Sequence, residues 1–203
     1  GNAERIARGE VTGADATAAA EAITDAATEL EVTAGTARTV NGLVQNAPDP
    51  VETDLAETLE RTAETVETTQ PDASVVVDAP ATTRVKSLPE PEAAIERLVT
   101  VALTACAPSP SPTVQIDVST DGTVTVRLVD GALSDPEQAV LCGDLEVGPL
   151  HHADGLDVWY VYWYVELSGG TIAVENDGRT IRVQLPLAGS NDRTPGESAV
   201  TPR

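Results

Sequence analysis

Between Ala18 and Val44 the apolar positions keep a helical spacing. Ile23, Leu30, Ala37 and Val44 recur every seven residues, with Ala20, Ala27 and Ala34 beside them. Such a seam joins helices in coiled coils and bundles, and its alanines predict close packing. At about 1.5 Å per residue this helix is a rod of roughly 40 Å. A rod with one apolar stripe requires a partner helix. Ala7-Arg8-Gly9-Glu10 reads as the end of a preceding helix that covers part of the stripe, and a second subunit is the expected remainder.

Asn46-Ala47-Pro48-Asp49-Pro50 breaks the long helix. Residues 54–69 predict a second helix, with Leu55, Leu59, Ala63 and Val66 on one face, closed by Pro71-Asp72. Ala73 to Val77 is a short buried strand, and Val85 belongs to another. Ser87-Leu88-Pro89-Glu90 reads as a capping box that opens a helix to about Cys106. Pro108, Pro110 and Pro112 end that helix in a loop.

From there the pattern alternates. Val114, Ile116 and Val118, a turn at Thr120-Asp121-Gly122, then Val124, Val126 and Leu128 predict a hairpin. Asp135-Pro136 starts a short helix through Leu141, and residues 143–157 are irregular. Val158 to Leu167 is an apolar helix stopped by Gly169-Gly170. Ile172 and Val174, then Asn176-Asp177-Gly178, then Ile181, Val183 and Leu185 make a second hairpin. The pattern predicts an α+β fold, a two-layer α/β sandwich over residues 51–187, preceded by helices over 1–50. Residues 188–203, rich in Ser, Thr, Pro and Gly, are expected to form a disordered tail.

Charge narrows the partners. The chain has 203 residues, with 33 acidic and 12 basic side chains, a net charge of −21. That field excludes DNA, RNA and anionic membrane as expected partners. No apolar run is long enough to span a bilayer, and no signal peptide is expected. Lys86 is the sole lysine, Met and Phe are absent, and Ala, Val and Thr dominate. This is the composition of a protein from a high-salt cytoplasm, where screening tolerates self-repulsion. Cys106 and Cys142 fit no metal spacing and read as small buried residues of an intracellular protein. His151 and His152 are adjacent, which is a poor geometry for a shared metal, so no metal site is expected.

The strongest local signal is Asp154-Gly155-Leu156-Asp157, a turn leading into Trp159-Tyr160-Val161-Tyr162-Trp163-Tyr164, then Gly169-Gly170 and the last hairpin. Upstream, Val129-Asp130-Gly131 follows a strand directly. With these motifs the sequence resembles the catalytic domain of two-component sensor histidine kinases, of the GHKL ATPase superfamily, in its halophilic archaeal form. The resemblance covers about residues 1–187. It implies that residues 1–50 are a dimerisation hairpin with a truncated first helix, and that the sandwich is an ATPase-type domain.

Against that family the nucleotide motifs are degenerate. Residues 1–50 contain no His, so a phosphate-accepting His lies before Gly1 or is absent. The resemblance puts Thr100 and Val101 where the family has Glu and the Mg²⁺-holding Asn, and a valine cannot bind that ion. Asp130 or Val129 stands at the adenine-binding Asp, followed by Gly131. Ala153, Gly155 and Asp157 stand at the glycines that approach the phosphates, and a carboxylate at Asp157 opposes an anion. Asp130-Gly131 can equally be a strand-end turn, and Gly155 a helix-start glycine.

The resulting expectation is a non-catalytic, histidine-kinase-like signalling protein with weak or absent ATP and Mg²⁺ binding and no catalytic residue of its own. It dimerises through Ile23, Leu30, Ala37 and Val44 and docks onto a response regulator or a true kinase. The alternative is an ATP-binding fragment that uses Asp130 and Gly155. In the aromatic cluster Trp159 and Trp163 share one helix face and belong to the core, which leaves tyrosine surface for a domain or subunit contact.

Overall fold

The computed structural model describes Arg5, Arg8 and residues 13–107, 109–143 and 155–189. The first helical arm, Pro108, His151, His152, Ala153 and the tail beyond residue 189 lie outside these. Helix α1 spans Ala14–Gln45 and runs past both ends of the predicted seam. Its threonines 17, 24, 28 and 39 donate their hydroxyls to the carbonyl four residues earlier, so these polar groups stay satisfied within the helix. The helix ends two residues before Ala47-Pro48, where the residue ahead of a proline leaves the helical region.

Strand β1, Val51–Asp54, was not anticipated from the sequence. It pairs antiparallel with β3, Arg84–Ser87, placing Val51 opposite Ser87 and Asp54 opposite Arg84. Helix α2, Leu55–Thr69, starts on Asp54, whose carboxylate accepts from the Ala56 amide at 3.2 Å. Its predicted face, Leu55, Leu59, Ala63 and Val66, is buried. Strand β2, Ser74–Asp78, follows, and β3 leads into α3, Pro91–Ala105.

The predicted capping box at Ser87–Glu90 does not form. Glu90 is the cap residue in left-handed backbone, φ 60°, and its side chain makes no cap bond. Pro91 begins the helix, and its fixed φ suits that place. The Ser87 hydroxyl is drawn sideways instead, bonded to Thr53 Oγ1 at 2.7 Å and donating to the Leu88 carbonyl at 3.1 Å. A box closes further on, ahead of α4, Asp135–Leu141. There the Glu137 carboxylate accepts from the Ser134 amide and hydroxyl, each at 2.7 Å.

The main sheet contains β2, β4 (Thr113–Val118), β5 (Thr123–Leu128), β6 (Thr171–Glu175) and β7 (Thr180–Gln184) in the order β2-β4-β5-β7-β6. Only β2 and β4 run parallel, and the remaining pairs are antiparallel. Helices α2, α3 and α5 (Gly155–Leu167) cover one face. Val114, Ile116, Val126 and Ile181 project from the sheet into that core and are at most 1 % exposed. β3 is held on its other side too: the Lys86 amide donates to the Pro186 carbonyl and the Ala188 amide to that of Arg84. The two-layer α/β sandwich is the fold that the alternating pattern implied.

Candidate nucleotide site and the α3–α5 junction

The candidate residues lie at the end of β5, on α3, and in the first turn of α5. The turn after β5 presses directly on the last turn of α3. A Cβ added at Gly131 would lie 2.1 Å from the Ala105 carbonyl oxygen and 2.8 Å from the Cys106 Cα. Packing alone therefore requires glycine there. Asp130 is exposed and makes no hydrogen bond or ion pair among the described residues, and Val129 beside it is 43 % exposed.

On α3 the structure separates the two residues named from sequence. Thr100 is half-buried, whereas Val101 is buried in the main core. The carboxyl half of α3, Leu98 to Ala105, holds no amide and no carboxylate, and Thr104 is its exposed polar side chain. Glu92 at the amino end is engaged with Arg61. A hard divalent ion takes several oxygen ligands. Among the described residues no three His, Cys, Asp or Glu side chains are placed to hold a metal. Among the described residues, the carboxyl half of α3 therefore offers a nucleotide-bound Mg²⁺ no amide or carboxylate oxygen.

In the first turn of α5 a Cβ at Gly155 would meet nothing within 4 Å, so the surroundings do not force glycine at this position. Asp157 departs from expectation: it is no bare charge. Its carboxylate pairs with the Arg97 guanidinium of α3, both side chains being about one third exposed. The Arg97 guanidinium carbon also lies over the Tyr160 ring, 4.7 Å from its centroid. Arg97 was missed in reading the sequence. It is the one cation between Lys86 and Arg127, and that isolation was its signal.

The aromatic helix divides its rings. Trp159 packs at the edge of the main core. Tyr160 and Tyr164 stack with centroids 6.2 Å apart and form a second buried cluster with Leu88 and Ala94. Val40 and Leu43 of α1 pack against that cluster. The Tyr164 hydroxyl donates to the Leu88 carbonyl, and burial raises the pKa of both phenols. The expected division is reversed: Tyr160 and Tyr164 are buried, Trp163 is half-buried and in neither cluster, and the element that meets the tyrosine cluster is α1 of the same chain. A separate cavity of about 50 Å³ lies between the helices and the sheet, lined by apolar side chains and Tyr164 and away from Asp130 and Asp157.

No protein-family model matches the chain, and no curated protein matches it. Solved structures do. The histidine kinase AdeS of Acinetobacter baumannii superposes with a TM-score of 0.54 at 15 % identity, over 92 % of this chain and 91 % of that one. The ATP-binding domain of PrrB from Mycobacterium tuberculosis gives 0.51 at 22 % identity, over 70 % of this chain and all of that one. Full-length ShkA in complex with AMPPNP gives 0.59 at 14 % identity, over 88 % of this chain and 40 % of that one. At these identities the likeness is one of fold: the chain has the α/β-sandwich fold of histidine kinase catalytic domains.

Proposed function

We propose that this chain is a histidine-kinase-like signalling module that keeps the ATPase fold and has lost phosphoryl transfer. It works by dimerising through the Ile23, Leu30, Ala37 and Val44 stripe and by docking on a partner, a response regulator or a true kinase. The observation that carries this reading is the carboxyl half of α3, which offers no amide or carboxylate to a metal while Val101 serves the core. Phosphoryl transfer is mainly positioning and charge neutralisation, and the metal does much of both. The stripe supports dimerisation, because Leu30 is 68 % and Val44 43 % exposed in the single chain. The acidic, lysine-poor composition supports a high-salt cytoplasm as its setting. No helix among the described residues is long and apolar enough to cross a membrane.

A second reading, an ATP-binding fragment, rests on Asp130, exposed and without a partner among the described residues, and on the open space at Gly155. Incubation with labelled ATP and Mg²⁺ in molar KCl, with a His-bearing dimerisation helix supplied in trans, separates the two. The first reading expects no label on either chain. Label on the supplied histidine establishes the second.

A further inference from the structure

Arg97 joins contacts that belong to different parts of the molecule. Its guanidinium pairs with Asp157 in the first turn of α5 and lies over the Tyr160 ring. Tyr160 stacks on Tyr164, and Val40 and Leu43 of α1 pack against the cluster that this pair forms with Leu88 and Ala94. Contacts are therefore continuous from α1, through the tyrosines and Arg97, to the amino end of α5.

The Asp157–Arg97 pair is about one third exposed, so the part of these contacts that water exclusion strengthens is the face of Tyr160 under Arg97. A cation over an aromatic ring gains more when water is kept away, and so does an ion pair. Tyr160 is only 6 % exposed with α1 in place. α1 is also a separable element. It packs chiefly on α5, its Leu30 side faces outward, and the chain after it, residues 46–50, is exposed and contains Pro48 and Pro50.

We propose that the Asp157–Arg97–Tyr160 stack is a latch that reads whether α1 is docked and sets the order of the first turn of α5. With α1 docked, Tyr160 is covered, Arg97 is held, and the amino end of α5 is pinned to α3. With α1 lifted, water reaches Tyr160, the guanidinium lets go, and the first turn of α5 frays. Arg97 and Asp157 are positioning residues in this device. Because such coupling is reciprocal, breaking the latch also weakens the docking of α1.

Hydrogen exchange on the intact chain in molar KCl tests this. Leu43→Asp undocks α1, and Arg97→Gln breaks the latch directly. Each speeds exchange of the amides of residues 159–161, which bond back to the first turn of α5, by about tenfold or more while β4 and β5 keep their protection. The double variant exchanges no faster there than the faster single variant, since both act on one link. Unchanged exchange at 159–161 in Leu43→Asp, or effects that multiply in the double variant, overturns the latch. Should Leu43→Asp also deprotect β4 and β5, Leu43→Ala makes the same comparison without burying a charge. Arg97→Lys keeps the charge and loses the guanidinium over the Tyr160 ring, and it restores only part of the protection. Full protection in Arg97→Lys would remove Tyr160 from the device and overturn it as drawn.

Discussion

Gly131 and Gly155 look alike in the sequence, since each follows an Asp at the start of a turn and each stands at a glycine of the resembled motifs. The structure gives them different work. Gly131 is fixed by the Ala105 carbonyl, which lies where its Cβ would be, whereas a Cβ at Gly155 has open space. Gly131→Ala should therefore lower stability by about 3 kcal/mol or more, because backbone on both sides must shift. Gly155→Ala should stay within about 0.5 kcal/mol of the parent, since nothing opposes the methyl. Thermal unfolding of both variants in the same salt measures the contrast, and equal losses would refute the packing explanation for Gly131. Asp157 teaches the complementary lesson. Its charge was legible, but its partner Arg97 lies sixty residues away and pairs with it only through the packing of α3 on α5. Sequence periodicity carries no information on such a pairing.

Among the elements, α1 carries two stripes on one helix. The seam every seven residues was plain from the sequence, and it faces outward as Leu30, Ala37 and Val44. The inward face, where Thr36 is buried and Val40 and Leu43 meet the tyrosines, was not seen, because it is short and interrupted by Thr and Gly. Leu30→Asp should convert a dimer to monomers in sedimentation at high salt while leaving the circular dichroism of the sandwich unchanged. A parent chain that is already monomeric would count against the seam as an interface. Caps show the same division between local and distant causes. Ser87–Glu90 had the letters of a capping box, yet pairing of β3 with β1 pulls the Ser87 hydroxyl to Thr53. Ser134–Glu137 forms the box, because no strand competes for it. Ser134→Ala should cost about 1 kcal/mol by denaturant unfolding. A change near zero would show that the box contributes little to α4.

At the scale of the whole molecule, the sandwich was legible because both hairpins alternate cleanly and α2 and α3 each show one apolar face. β1 escaped notice, being four residues with no alternating apolar pattern, defined only by its pairing with β3. The parallel placement of β2 against β4 was equally out of reach, since the order of strands follows from how α3 crosses the sheet rather than from any local signal. Charge acts on the molecule as a whole. At −21 the folded chain repels itself, and the screening length falls from about 10 Å at 0.1 M salt to about 3 Å at 1 M. Helicity and melting temperature should both rise with KCl over that range, and full helicity with an unchanged melting temperature in dilute buffer would contradict the high-salt reading. The central claim, that an ATPase fold persists here without the side chains that hold a metal-bound nucleotide, is tested most directly by titrating Mg-ATP into the chain by calorimetry in molar KCl. The account predicts no measurable heat of binding up to millimolar nucleotide. A dissociation constant in the micromolar range that depends on Mg²⁺ would contradict it.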